Sequence, residues 1–134
     1  MKLITRDTDY AIRALCYICK RKNEVVSVKE MVKHLGIPHP FLRKILQVLN
    51  KKKLLTSYKG RGGGFILSCK PKQIFIIDVM KIFQGPVKLN EHIFKKSICP
   101  HIKTCVLRKK LDAIEKYVIS KLKTITIASL IKDL

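Results

Sequence analysis

The sequence predicts a mainly α-helical fold with one small β-hairpin, and two observations support this fold class. Along most of the 134 residues, apolar side chains recur every three or four positions, which is the period of an amphipathic helix. At 59–64 a basic, glycine-rich stretch separates two short runs, 54–58 and 65–68, as is typical of a hairpin. The chain is long enough to bury a core, and 47% hydrophobic residues exclude a disordered tail.

The first helix is expected to begin near Thr8 or Asp9. Its apolar stripe consists of Ala11, Ile12, Leu15 and Ile18. Cys16 and Cys19 lie three residues apart, so their sulfurs share one helix face, a placement that would suit a metal or a dithiol switch. Because cysteine also packs as a small hydrophobe, we interpret both as core residues, and Cys69 in the same way.

A second helix is expected to begin at Ser27. Ser27 and Glu30 have the spacing of a capping box, in which each side chain accepts a hydrogen bond from the other residue's backbone amide. The apolar stripe that follows is Val28, Met31, Val32 and Leu35. Gly36 can adopt the left-handed conformation that ends a helix, and 37–40 is interpreted as a turn.

The third helix is predicted to have an apolar face and a basic face. The apolar face consists of Phe41, Leu42, Ile45, Leu46 and Leu49. The opposite face consists of Arg43, Lys44, Gln47, Asn50 and Lys51. Side chains of these types donate hydrogen bonds to base edges, and a helix fits the major groove of DNA. The order helix, turn, helix, hairpin therefore predicts a winged helix-turn-helix.

The tip of the predicted hairpin is rich in glycine and positive charge. Glycines allow positive φ angles and let the backbone approach a partner closely. Lys59 and Arg61 are then expected to contact phosphates or the minor groove. The tip alone fits a flexible, solvated turn equally well, whereas its place behind a capped helix-turn-helix favours DNA.

Six short stretches follow one another in an order that is typical of a known protein family. They are 8–15, 37–38, 41–46, 59–65, 77–79 and 84–86. In this order they resemble the BadM/Rrf family of winged-helix transcriptional regulators, over nearly the whole chain. The resemblance implies a winged helix-turn-helix DNA-binding domain at 1–86 and a cysteine-containing sensor loop at 87–105. A dimerisation helix and a short C-terminal helix would occupy 106–134.

The resemblance also implies a function. Family members are homodimeric bacterial repressors or activators on palindromic operators in double-stranded DNA, and we expect a repressor. The residues expected to contact DNA are Ser27, His39, Pro40, Arg43, Lys44, Gln47, Lys51, Lys59, Arg61 and Gly62. Relatives of the cluster-binding type have an arginine in place of Lys59 and often an acidic residue in place of Arg43, so the resemblance implies DNA binding but not a particular operator sequence.

The predicted sensor loop contains Cys99 and Cys105, with a proline between them and no helical pattern. Loop thiols at short spacing suit metal ligation or redox sensing. In cluster-binding relatives this loop supplies three cysteines, of which the last two match here and the first falls at Ile93. The residues that could replace it are His92, His101 or Glu91, together with Asp9 of the partner subunit. An iron-sulfur cluster, a thiol switch, occasional zinc and a site that senses nothing are therefore all open interpretations.

Two further segments complete the predicted architecture. A short helix is expected at 74–83, ended by 85–86, with Asp78 capping or orienting its neighbours. A long helix is expected from Val106, with a seam close to that of a coiled coil at Leu107, Leu111, Ile114, Val118, Leu122 and Ile125. This seam fits dimerisation or coverage of the chain's own core equally well, and the resemblance favours a homodimer. Thr126 is expected to cap a last short helix.

The charge of the chain favours a polyanionic partner. Twenty-nine lysines and arginines against nine acidic residues give a formal charge of +20. Residues 1–64 carry +11 and residues 65–134 carry +9, so the two halves do not locate the site. With no apolar run of about 18 residues and no signal-peptide core, we expect a cytoplasmic protein without a membrane partner. The five cysteines are then expected to be free, metal-bound or redox-active.

The sequence disfavours two other classes of protein. A basic RNA-binding or ribosome-associated protein would share the charge, but it would need exposed aromatic rings, and the four tyrosines and five phenylalanines fall mostly on apolar faces. An enzyme is not expected, because the sequence has no nucleophile elbow, phosphate-binding loop or zinc-protease helix.

Overall fold

A computed structural model describes residues 2–89 and 106–132. The helices are α1 (Arg6–Lys20), α2 (Val28–Leu35), α3 (His39–Lys51), α4 (Ile76–Gln84), α5 (Val106–Leu122) and α6 (Ile127–Lys132). Strands β1 (Leu55–Tyr58) and β2 (Gly64–Leu67) form an antiparallel hairpin in which Leu55 lies opposite Leu67. The predicted fold class, mainly α with a small β-wing, is confirmed. Among the described helices, none combines the length and the apolar character that crossing a membrane requires.

Helix α1 begins earlier than the sequence pattern indicates. Thr5 caps it, and the Thr5 hydroxyl accepts a hydrogen bond from the backbone amide of Thr8 at 3.4 Å. Thr8 is fully buried, and its hydroxyl donates to the side-chain oxygen of Gln84 at 2.8 Å. The predicted start near Thr8 or Asp9 was wrong because Gln84, at the far end of α4, holds this first turn in place.

The core is built around α1. Its buried face packs on α3 and α4, and it also contacts β2 and α6. The fully enclosed side chains of this core include Leu15, Leu42, Leu46, Leu49, Val79, Met80 and Ile127. Burying one such side chain stabilises a fold by about 1.5–3 kcal/mol. Helix α3 is therefore fixed along its whole inner face, which leaves its outer face in a defined orientation.

Helix α4 runs from Ile76 to Gln84, displaced from the predicted 74–83, and Gly85 ends it as expected. Asp78 does not cap this helix, because Phe75 occupies the N-cap position and makes no side-chain cap bond. Asp78 instead lies exposed in the first turn, where its charge is favourable next to the helix N-terminus.

The C-terminal helices pack on the core through α6 and through the C-terminal part of α5. Thr126 caps α6 as predicted, with its hydroxyl accepting the amide of Ser129 at 3.1 Å. Helix α5 ends at Leu122, so Ile125 does not extend the predicted seam on this helix. Leu122 is buried, whereas Leu107 is 65% and Ile114 52% exposed. The C-terminal part of α5 therefore covers the core, with Val118 and Ile119 packed against it, while Leu107 and Ile114 of the seam are exposed.

Candidate nucleic-acid interface

Helix α2 is fixed by one half of the predicted capping box. The Ser27 hydroxyl accepts the amide of Glu30 at 3.1 Å, as expected. The Glu30 carboxylate does not return to the Ser27 amide, because it pairs with the Arg21 guanidinium at 2.7 Å. A hydrogen bond between two charged groups is stronger than one to a neutral amide. This pair lowers the pKa of Glu30 and raises the pKa of Arg21, and it ties the end of α1 to α2.

The turn before α3 is shorter than predicted. Gly36 ends α2 with φ +68°, as expected, and Ile37 is buried beneath the turn. Helix α3 begins at His39, so Pro40 lies inside its first turn and not in the interhelical turn. Proline is tolerated there, because the backbone amides of a first helical turn have no acceptor within the helix.

The outer face of α3 carries the predicted polar and basic side chains. Arg43, Lys44, Gln47 and Lys51 are exposed, as are His39 and Pro40. The inner face buries Leu42, Ile45, Leu46 and Leu49. Phe41 departs from the predicted apolar stripe: it is 42% exposed, and the Arg6 guanidinium lies 4.6 Å from the centroid of its ring.

A cleft of about 410 Å³ separates α3 from the hairpin. Four of the residues predicted to contact DNA line it, namely His39, Arg43, Gln47 and Lys59. The first three occupy successive turns of α3, four residues apart, and Lys59 faces them from the end of β1. The cleft therefore presents hydrogen-bond donors from both the helix and the hairpin.

Eight lining residues of this cleft were not among the predicted contacts, and three of them have polar side chains: Asn50, Ser57 and Tyr58. Tyr58 is 52% exposed and directly precedes Lys59. Asn50 lies three residues after Gln47, on the same face of α3, so its position was available from the sequence. Strand alternation alone could have placed Tyr58 outside the core, because it lies three positions after the buried Leu55 and therefore on the opposite face of the strand.

The remaining predicted contacts lie around the cleft and do not line it. Arg61 and Gly62 are exposed at the tip of the hairpin, and Lys51 is exposed at the C-terminal end of α3. Lys44 lies on another flank of α3, where it shares a small cavity with Arg6 and Phe41. Ser27 is half-buried at the N-cap of α2.

The base of the hairpin is anchored to the segment before α2. The amide of Phe65 donates to the Val26 carbonyl at 2.9 Å, and the amide of Val26 donates to the Phe65 carbonyl at 3.0 Å. Gly64 permits this close approach, since a Cβ atom there would collide with the Val26 carbonyl. The hairpin is thus held next to α2 and α3 while its tip, 59–63, remains exposed or half-exposed.

Positive charge is concentrated on this part of the chain. Between Glu30 and Asp78 there are ten lysines and arginines and no acidic residue. The net charges of residues 1–64 and 65–134 do not reveal this concentration, because the acid-free stretch, 31–77, extends across residue 64. A continuous basic segment that includes α3 and the hairpin is the electrostatic footprint of a nucleic-acid site.

The candidate cluster ligands are not brought together in the described residues. Cys99, Cys105, His92, His101 and Glu91 lie outside them. Asp9 lies on α1, where it pairs with Arg13 at 3.0 Å. Within 2–89 and 106–132, no three His, Cys, Asp or Glu side chains are grouped to hold a metal ion.

The three described cysteines behave as predicted for core residues. Cys16, Cys19 and Cys69 are free, half-buried and packed against the hydrophobic core. Burial raises the pKa of all three thiols, so they favour the neutral form.

A winged helix-turn-helix within a basic stretch that has no acidic residue defines a DNA-binding regulator, and comparison with known proteins agrees. Residues 4–133 match the model of the Rrf2 family, described as "Iron-dependent Transcriptional regulator". The chain belongs to the Rrf2 family of transcriptional regulators. It is 33% identical over 137 aligned positions to protein rrf2 of Nitratidesulfovibrio vulgaris, covering 99% of this chain and 89% of that protein. It is 30% identical over 127 positions to the regulator NsrR of Bacillus licheniformis, covering 87% and 88%.

Solved structures confirm the fold. CymR, described as the global cysteine regulator of B. subtilis, superposes with a TM-score of 0.83 at 20% identity, covering 100% of this chain and 99% of that one. IscR of T. potens superposes with a TM-score of 0.77 at 24% identity, covering 99% and 88%. Because the relatives are transcriptional regulators, the prediction that the protein is not an enzyme is confirmed.

Proposed function

We propose that the protein is a homodimeric repressor that binds a palindromic operator through α3 and the hairpin. The observation that carries this proposal is the cleft in which Arg43 and Gln47 of α3 face Lys59 of the hairpin. Arg43 and Gln47 can donate to base edges in the major groove, arginine to guanine and glutamine to adenine. Lys59 and Arg61 carry the charge that holds the hairpin on phosphates or in the minor groove.

The exposed seam of α5 supports the homodimer. Leu107, Ile114 and Tyr117 are each more than half exposed, at 65%, 52% and 64%. Exposed apolar residues at helical spacing are covered when two copies pair. A two-fold dimer would present two α3 helices to half-sites one helical turn apart, so the operator would be palindromic. In this proposal 1–86 reads DNA, 87–105 receives the signal and 106–134 dimerises.

Selection of duplexes from a random DNA pool by the purified protein tests this function. We expect the selected duplexes to share an inverted repeat and to bind at least about a thousandfold more tightly than a scrambled duplex. Structured RNA of equal length is the matched competitor. Tight binding of that RNA with no preference among duplexes would favour the basic RNA-binding alternative and contradict the proposal.

The signal is proposed to enter through Cys99 and Cys105, either as iron-sulfur ligands or as a thiol switch. Their short spacing in the sequence and the family's description as iron-dependent support this role. The test is anaerobic purification followed by a visible spectrum with iron and sulfide assays, on wild type and on Cys99→Ala with Cys105→Ala. Visible absorption that disappears in the double variant would identify a cluster. In a colourless protein, loss of oxidant-sensitive DNA binding in the double variant would identify a thiol switch.

Cys16→Ala with Cys19→Ala is the matched control for that measurement, because both residues are packed against the core. This control should keep the spectrum and the oxidant response of the wild type. Loss of the spectrum or of the oxidant response in this control variant would instead contradict the proposed role of Cys99 and Cys105.

A further inference from the structure

A second cavity, of about 890 Å³, lies between the C-terminal end of α1, the end of β2 and α6. It shares no lining residue with the cleft beside α3. The apolar part of its wall is formed by Ile18, Ile66, Leu67, Pro71 and Ile131. Its volume and its largely apolar lining fall within the range of small-molecule sites in proteins.

The charged residues around this cavity all have the same sign. Lys20, Lys22 and Lys70 line it, and no aspartate or glutamate does. Within the part of the chain that the structure describes, none of these three lysines forms an ion pair. A ligand that fits this wall therefore carries negative charge at one end and an apolar body at the other.

Cys19 and Cys69 also line the cavity, as do the neutral polar side chains of Asn23, Ser68 and Gln73. Burial raises the pKa of both thiols, so they remain neutral near pH 7. A neutral thiol packs as a small hydrophobe, and these two side chains therefore extend the apolar surface. A ligand in the cavity would cover both thiols, so their reactivity reports whether the cavity is occupied.

We propose that this cavity binds an organic anion with an apolar body, of the class of medium-chain carboxylates. The apolar body lies against Ile66, Leu67 and the two thiols, and the carboxylate is oriented by Lys20 and Lys70. Since Ile66 and Leu67 belong to β2, the bound anion contacts a strand of the hairpin. This site is separate from the DNA-binding face and does not depend on the proposed operator.

Calorimetric titration of the full chain with decanoate, below its micellar concentration, tests the proposal. We expect saturable binding at one site per chain and no comparable binding of decyltrimethylammonium, which has the same alkyl chain and the opposite charge. Lys20→Glu with Lys70→Glu should weaken decanoate binding about tenfold, because it reverses two charges at the cavity. Absence of saturable binding, or equal binding of the cation, would overturn the proposal.

Lys33→Glu with Lys81→Glu is the matched control, since both lysines are exposed and neither lines the cavity. It changes the net charge by the same amount and should keep the affinity within about twofold. An equal loss in both double variants would mean that overall charge attracts the anion, and that result would also overturn the proposal.

Alkylation by N-ethylmaleimide, mapped by mass spectrometry, gives a second and independent measurement. Decanoate should slow labelling of Cys19 and Cys69, which line the cavity, and leave Cys16 unchanged, which does not. Detergent-like loosening of the fold would instead speed up all three. Uniform change at the three thiols would contradict a site in this cavity, whatever the calorimetric result.

Discussion

At the scale of single residues, the pair formed by Arg21 and Glu30 joins α1 to the helix-turn-helix. The hydrogen bond from Arg21 lowers the pKa of Glu30 below its ordinary value of 4.5. A carboxyl group with a lowered pKa stabilises the fold above its unfolded-state pKa, and this contribution is lost as the pH falls through the folded-state value. Glu30→Gln should therefore lower Tm at pH 7, and the difference from wild type should shrink below about pH 4.5.

Thermal unfolding across pH 3–8 followed by circular dichroism checks this prediction. Glu24→Gln is the matched control, because Glu24 binds the same arginine at 2.8 Å but is 64% exposed. Exposed pairs contribute little, so this control should lose less stability. A Glu30→Gln deficit of the same size at pH 3 and pH 7 would assign the effect to packing and not to charge.

At the scale of elements, local patterns were sufficient for the type and order of the described helices and strands. Gly36, Gly85 and Thr126 mark helix ends correctly because their signals are local. Two of the errors arose where a distant residue intervened. Gln84 fixes the first turn of α1 from 76 positions beyond Thr8, and Arg21 takes the carboxylate of Glu30.

The candidate site was predictable in part for the same reason. The composition of the outer face of α3 follows from helical periodicity, and the structure exposes that face as expected. The cleft itself depends on how the hairpin lies against α3, which is set by the pairing of Val26 with Phe65. That pairing places Tyr58 beside the cleft. The cavity beside Cys19 and Cys69 is lined by α1, β2 and α6 together, so no local pattern predicts it.

At the scale of the whole molecule, the acid-free basic stretch and the exposed seam of α5 belong to two different surfaces. The first is proposed to face nucleic acid, and the second is proposed to face a second copy of the chain. Leu107→Lys with Ile114→Lys should place two charges in that interface. We expect light scattering to give the 15.4 kDa mass of one chain for this variant, and twice that mass for wild type.

Lys109→Ala with Lys116→Ala is the control for the dimer, because these exposed residues lie on the opposite face of α5. It should remain dimeric, and both variants should keep wild-type helical circular dichroism. A lysine variant that stays dimeric would place the interface elsewhere on the molecule.

The salt dependence of binding to a selected duplex tests the central claim, that α3 and the hairpin hold DNA, most directly. Each phosphate contact contributes about 0.9 to the slope of log K against log salt concentration. Lys59→Ala with Arg61→Ala should therefore weaken binding and reduce the slope of the dimer by about 3–4, since each copy loses two cations. Lys81→Ala with Lys132→Ala removes equal charge outside the acid-free stretch and should keep the wild-type slope. An unchanged slope in the hairpin variant would contradict the account.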